Sequence, residues 1–467
     1  MEKTYSQIMS EYVAGLKFED IPQDVIDQAK RVTLHAIGAS VGGYPLPLTG
    51  KVIGYTQRNG GTGEATIWCS DGRKVPVEEA AFANGTMADH MDWEDCTWTG
   101  HPSATGVPAA MAVAEKHKKS GREYLLALVA GYESSQRIAM AAQPTRDYVT
   151  SGRDWALVSW QIFAASMAAA KLMGFDAKRI EQVLGASLYQ AQIAANKHST
   201  GSGKSDIYHY AHGFAARNGV VAAQVTELGY DNCYHALDGD DGYWHMVSDR
   251  LDESWYTKDL GKLWMIRDAN YLKHWPANMW VQIPLEGMSE LVKEQPFQME
   301  EVDKIRVTPD LDFIMGVYSK TTRTILDAQF SIPYCLTAFL MNPKMGAHWF
   351  TKEMLNNQEL IDFTDKFEAF GEKIVFYDNF EIFKSGSFPE FKLEVYLKDG
   401  RVLHKSKQFP KGHPKNNFTL AEEYDHFRLC CSPYLPQEQI ERFIAIVDKL
   451  EEAQDLDELI GLTTIRG

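Results

Sequence analysis

Val25, Ala29, Val32 and Ala36 recur at spacings of 4, 3 and 4 in "PQDVIDQAKRVTLHAIGASVGG". That period predicts an amphipathic helix, with Pro22 near its first turn and Gly42–Gly43 as its stop. "PVEEAAFANGTMADHMDW" predicts a second helix: Pro76 starts it, Ala83, Met87 and Met91 share a face, and Asp92 falls in its last turn. Four more segments, "SATGVPAAMAVAEKHKKSG", "EYLLALVAGYESSQRIAMAA", "WQIFAASMAAAKLMGF" and "IEQVLGASLYQAQIAA", carry apolar residues on more than one side. Alanine-rich helices of that kind pack closely and are buried from several directions. "ATIWCSDGRKV" predicts a short strand pair around an Asp71–Gly72 turn.

The pattern changes near residue 265. "EVDKIRVTPD" and "EKIVFYDNF" predict strands, and "FKLEVYLKDGRVLHKSKQF" predicts a hairpin turning at Asp399–Gly400. "TILDAQFSIPYCLTAFLM" reads as one helix with Pro333 in or near its first turn, and helical text returns from "TLAEEYDHFRLCCS" onward. The fold expected is mainly α: an all-α domain over residues 1–268, a smaller α+β domain over 269–408, and C-terminal helices over 409–467 that return to the first domain.

Composition narrows the functional classes. The chain has 467 residues, a length that favours two or three domains. Its net charge of −16 argues against nucleic acid and anionic membrane as partners, while leaving room for an anionic small molecule in a locally basic pocket. No stretch approaches the roughly 20 apolar residues of a membrane span, and the polar N-terminus does not resemble a secretory signal, so a cytoplasmic protein is expected. No two of the six cysteines show C-x-x-C spacing, and the vicinal Cys430–Cys431 read as two buried thiols.

Candidate chemistry concentrates in "HMDWEDCTWTGHPSATGVP", which crowds Asp92, Glu94, Asp95 and His101 around a helix start. Like charges so close need a cation, a shared proton or open water. Ser103 is a natural N-cap, and the free N–H groups of a helix N-terminus suit a substrate carboxylate. His101 there is placed to act as general acid or base, with Asp92 and Asp95 orienting a histidine or holding a lysine. The competing reading is a solvated acidic loop. A metal set of His90, Asp92, Asp95 and His101 is disfavoured, because positions two apart on a helix face different ways, so no metal is expected.

Two further segments carry cations. "KHSTGSGKSDIYHYAHGFAARNG" flanks Lys204 with Gly201 and Gly203 and continues to His209 and His212, but lacks the spacing of a nucleotide phosphate loop. It reads as a loop presenting Lys204 to an anion, or else as a plain surface loop. "YLKHWPANMW" sets Lys273 at the junction of the two predicted domains, where pockets form, or marks a hinge anchored by Trp275 and Trp280.

Taken together, these blocks resemble the MmgE/PrpD family nearly end to end. The opening helix, "AAFANGTMADHMDWEDCTWTGHPSATGVPAAMAVAE", "DAQFSIPYCLTAFL" and "KGHPKNNFTLAEEYDHFRLCCS" follow the family's order and spacing. The resemblance implies a large all-α domain closed by an α+β lid, an active site between them, a homodimer, and no cofactor. It places the family's signature aspartate at Asp92, its histidine at His101 and its lysines at Lys204 and Lys273. It adds Cys96, Asn278, Tyr318 and Asp154 as substrate-binding positions, with Gln143-Pro144-Thr145 a rival to Asp154. Cys96 stands where the family carries threonine, and Asn278 and Asp154 stand where relatives carry histidine, so fewer cationic donors are expected here. The activity implied is a cofactor-independent lyase, dehydratase-like or decarboxylating, moving a proton next to a carboxylate of a small di- or tricarboxylate. An epimerase or isomerase of an amino or imino dicarboxylate and a repurposed non-catalytic scaffold are the alternatives.

Overall fold

A computed structural model describes residues 3–97, 99–148, 158–192, 205–231, 234–312, 316–375 and 386–465. Seven helices build the body around the site: α1 (Gln23–Gly42), α2 (Val77–Asp89), α3 (Ser103–His117), α4 (Gly121–Ala141), α5 (Ile162–Leu172), α6 (Ala177–Gln190) and α7 (Ile207–Glu227). Their small residues let them pack on several sides at once. In α2 every residue except Glu78 is buried, and α3 and α7 both lie against it.

Two short strand pairs interrupt the helical body. Ala65–Thr66 (β1) pairs antiparallel with Lys74–Val75 (β2), as expected around Asp71–Gly72. Asp95–Cys96 (β3) pairs antiparallel with Tyr271–Leu272 (β4), with Asp95 opposite Leu272 and Cys96 opposite Tyr271. This second pair ties the acidic segment to the chain immediately before Lys273.

The smaller unit is a four-stranded sheet under a helix. Its order is β8 (Val402–Lys407), β7 (Phe391–Leu397), β5 (Val302–Thr308), β6 (Phe367–Ala369). β7 runs antiparallel to both of its neighbours, and β6 runs parallel to β5. The hairpin turns where Asp399–Gly400 predicted, with Gly400 at φ +93. Helix α8 (Met279–Glu294) packs on β7 and β8. The single helix predicted over 324–341 is broken into Ile325–Gln329 and α9 (Ile332–Met341), because Ser331 accepts a hydrogen bond from the Tyr334 N–H and starts a new helix with Pro333 in its first turn. After the sheet, α10 (Leu420–Cys431) lies against α1. Cys430 and Cys431 are buried free thiols, and burial pushes both upward in pKa.

Two glycines allow approaches that no side chain would. A Cβ on Gly213 of α7 would lie 2.2 Å from Thr86 Oγ1 and 2.4 Å from the Phe82 carbonyl oxygen on α2. Gly412, at φ +90, would place a Cβ 1.8 Å from the carbonyl oxygen of Leu272. The first approach brings α7 onto the acidic end of α2; the second packs the start of the C-terminal segment on β4. Gly213→Ala is expected to force α7 away from α2 and to lower unfolding free energy by about 2 kcal/mol or more, the usual range for an overpacked core, as read by urea denaturation; an unchanged midpoint would show that the approach is not tight.

Candidate active site

The acidic segment begins where α2 ends. The helix stops at Asp89, so Asp92 is not in its last turn as predicted but three residues beyond it, with a left-handed φ of +49. Aspartate tolerates that region better than most residues. The turn throws Asp92 and Glu94 toward the start of the second unit, where β4 delivers Lys273. All three side chains are fully buried.

Lys273 organises the cluster. Its Nζ donates to Asp92 Oδ1, and to Glu94 Oε1 at 2.6 Å, and lies 3.1 Å from His101 Nδ1. Burial alone would lower the lysine's pKa, but Asp92 and Glu94 outweigh it and the net direction is up, so Lys273 is an ammonium. Its backbone is held as firmly. The Lys273 N–H donates to the Glu94 carbonyl at 3.2 Å, and His35 Nε2 on α1 donates to the Lys273 carbonyl at 3.0 Å. The other ring nitrogen of His35 meets Glu423 of α10 at 2.9 Å, and Trp93 Nε1 donates to the His274 carbonyl at 2.9 Å.

His101 stands between a carboxylate and a phenol. Its Nδ1 pairs with Glu94 Oε1, and its Nε2 meets the Tyr208 hydroxyl at 3.0 Å. We assign Nδ1–H to Glu94, which leaves Nε2 to accept the Tyr208 O–H. Burial, then the Lys273 charge, pushes the His101 pKa down to about 3; burial pushes Glu94 up to about 7. A proton arriving at this couple near neutral pH is therefore shared between carboxylate and imidazole. Asp92 is also raised, by burial first, against the pull of Lys273.

Asp95 does structural work. Its Oδ1 accepts the Ser103 backbone N–H at 3.0 Å, and its Oδ2 accepts the Tyr132 hydroxyl. The helix start is thus capped by Asp95 rather than by the Ser103 side chain: Pro102 is the N-cap residue, and Ser103 is the first helical position. The N–H group expected to face a substrate carboxylate is already occupied.

Among the remaining predicted positions, Cys96 points its Sγ at Met279 Sδ, 3.6 Å away, and at the Thr97 carbonyl. Asn278 accepts the Trp280 N–H and so caps α8. Tyr318 donates to the Pro309 carbonyl. Lys204 and Asp154 lie outside the described residues; in the rival triplet, Thr145 bonds Asp249 through its N–H at 2.7 Å. The structure therefore brings together Asp92, His101 and Lys273, and sets Asn278 and Tyr318 to backbone tasks. It adds Glu94 and Tyr208, to which the sequence reading gave no role, and it adds Asp89 with His209 and His212. The segment read as a loop is helical from Ile207, and His209 and His212, three apart on α7, lie on one face. That signal was available in the sequence.

Among the described residues, two buried donor sets, Asp89–His101–His212 and Asp92–Glu94–His101, have ligand atoms within 4.8 Å of one another. In the second, the Lys273 ammonium already supplies the positive charge. The four-residue set weighed from sequence does not converge, since His90 Nδ1 turns to Thr49 Oγ1 at 3.2 Å and Asp95 is spent on Ser103 and Tyr132.

The MmgE/PrpD N-terminal domain matches residues 7–255 and the MmgE/PrpD C-terminal domain matches residues 275–452. The chain belongs to the MmgE/PrpD family. Lys273 falls between the two family regions, and the acidic cluster falls within the first. Curated MmgE/PrpD-type relatives include cis-aconitate decarboxylase of Mus musculus, 22% identical over 99% of this chain and 94% of the relative. The cis-aconitate decarboxylase-like protein oryM of Aspergillus oryzae is 24% identical over 97% and 95%. Cis-aconitate decarboxylase of Aspergillus terreus is 26% identical over 47% of this chain and 45% of the relative. Among the described residues, no helix is long and apolar enough to cross a membrane.

Removing the ammonium should expose what it holds. Lys273→Met is expected to cost roughly 3–5 kcal/mol of stability at neutral pH, the usual effect of breaking a buried ion pair from one side. The deficit relative to the unsubstituted protein should shrink as pH falls below about 7, because Glu94 and Asp92, both raised by burial, become neutral and no longer need a cation. Denaturation midpoints measured from pH 4 to 8 test this; a constant deficit would mean that the lysine acts only by filling space.

Proposed function

We propose that this chain is a lyase that removes a proton from a carbon next to a carboxylate of a small di- or tricarboxylate, using its own side chains and no cofactor. The observation that carries the reading is the single oxygen, Glu94 Oε1, shared by the Lys273 ammonium and the His101 imidazole. That arrangement fixes the imidazole in orientation and tautomer, leaving Nε2 as the base, as an oriented carboxylate does for a catalytic histidine. Tyr208 supplies a hydroxyl on the same nitrogen.

The proton to be moved is weakly acidic, and the electron pair left behind delocalises into the adjacent carboxylate. A fixed ammonium in a water-poor site stabilises that charge far better than one in water. Lys273 is already paired with two carboxylates, so it acts as a fixed member of the field rather than as a free clamp. Clamping of the substrate's carboxylates falls, in this reading, to Lys204. Full-length relatives named for cis-aconitate, a tricarboxylate, and for its decarboxylation support a substrate of this class. Dehydration builds negative charge beside a carboxylate when the base takes the carbon-bound proton; decarboxylation builds it when carbon dioxide leaves, and protonated His101 then gives a proton to the carbon, so the same field serves either and the histidine acts as base in one and acid in the other.

Incubation with malate, citrate, 2-methylcitrate and cis-aconitate in heavy water tests the reading. Olefin or carbon dioxide formation supports a lyase, deuterium entry alone assigns an epimerase, and silence on all acids removes both. His101→Ala should reduce turnover by at least about 100-fold, the usual worth of a positioned base, with its circular dichroism unchanged. The pH profile has a defined sign. A proton on Glu94 lets its carboxyl donate to Nδ1 and moves the imidazole's own hydrogen to Nε2, so proton abstraction should rise with pH through about 7, to which burial raises Glu94, and then level off. A rate that falls over that interval would contradict the assignment of His101 as base.

A further inference from the structure

The Glu94–His101 couple has a counterpart. On the other side of the cluster, Asp89 ends α2 fully buried, and its Oδ2 accepts from His209 Nδ1 at 2.6 Å. His212 Nδ1 lies 3.2 Å from the same oxygen. His212 is itself fully buried, yet among the described residues neither of its ring nitrogens makes an aligned hydrogen bond, and Asp89 Oδ1 makes none either, its nearest ionic neighbour being His101 Nδ1 at 3.9 Å. Buried polar atoms are nearly always satisfied, and one that is not signals a bound molecule or a reactive role. The His212 ring centre is 5.2 Å from that of His101 and 5.2 Å from that of Tyr208, and both contacts are edge-on. Two carboxylate–imidazole couples thus meet around one phenol.

We propose that His212, oriented by Asp89, is the second proton-transfer group of this site: His101 takes the proton from carbon and His212 gives one to the departing hydroxyl. This rests on the lyase reading above, in its dehydrating form. The step balances within the site. The C–H bond breaks with its proton going to His101 Nε2, and its electron pair forms the new C=C bond. The C–O bond breaks, the oxygen keeps that pair, and the proton on His212 Nε2 completes a water molecule. Asp89 stabilises the imidazolium before transfer, as Glu94 does for His101 after it. His209, which grips the same Asp89 oxygen, is a positioning residue.

The division of labour is testable because the two half-steps have separate readouts. With the intact chain in heavy water and an acid that it turns over, His212→Gln is expected to retain deuterium exchange at the carbon within about threefold, while olefin formation falls at least about 100-fold. Asp89→Asn should shift the same ratio in the same direction by a smaller factor. Added imidazole should restore olefin formation in His212→Ala, which also serves if the glutamine variant folds poorly. Exchange and elimination falling together in His212→Gln, or neither falling, would overturn the assignment while leaving the lyase reading intact. Failure of the unsubstituted protein on every acid would remove the lyase reading, and this inference with it.

Discussion

The ammonium of Lys273 is the charge around which the site is arranged. A cation with no exposure to water is costly, and attraction to partners in a low-dielectric interior offsets that cost only when the geometry is close. Here the partners come from a different stretch of chain, nearly 180 positions earlier, and reach the lysine because β3 pairs with β4. The left-handed turn at Asp92, the His35 bond to the Lys273 carbonyl and the packing of Gly412 on β4 all hold that meeting point in place. Loss of the cation would leave two carboxylates in the protein interior with nothing to balance them.

The crowding of acids in the segment after α2 is resolved by a cation and a shared proton, not by solvent. Asp92 and Glu94 meet Lys273, Glu94 shares with His101, and Asp95 leaves the cluster to cap α3 and accept from Tyr132. Asp89 is served by the histidines of α7. Each carboxylate thus has a different answer to the same electrostatic problem. A chain with net charge −16 buries four acids within seven positions, Asp89, Asp92, Glu94 and Asp95.

Family membership and local chemistry are separable here. Two family regions cover nearly the whole chain, while identity to the curated relatives is 22–26%. Within that frame Tyr208 touches the candidate base, and Tyr208, Leu326 and Phe330 form a small apolar cluster apart from the main core. Tyr208 and Phe330 meet edge to face at 5.7 Å, and they come from the two different family regions. The candidate base therefore sits beside an apolar contact between the units, which favours a dry site for charge-dependent chemistry.

What the sequence determined by itself was local. Period, proline and glycine placed most helices, the Asp399–Gly400 hairpin and the change of character near residue 265, because those signals act within a few residues of where they are written. It also marked Asp92, His101 and Lys273, through unusual charge density and family-like order. It misjudged Asp92 by a turn and Ser103 as a cap, because a helix end is settled by whichever distant group satisfies its free N–H and C=O, and Asp95 does so for α3. Asn278 and Tyr318 carry family-like positions into backbone hydrogen bonds. The pairing of Glu94 with both Lys273 and His101, and of Asp89 with the α7 histidines, belongs to tertiary structure alone. Glu94 and His101 are only seven positions apart, but the Glu94–Lys273 and Asp89–histidine contacts join residues more than a hundred positions apart, and only the close approach of buried elements, at Gly213 and along β3–β4, decides which charge meets which.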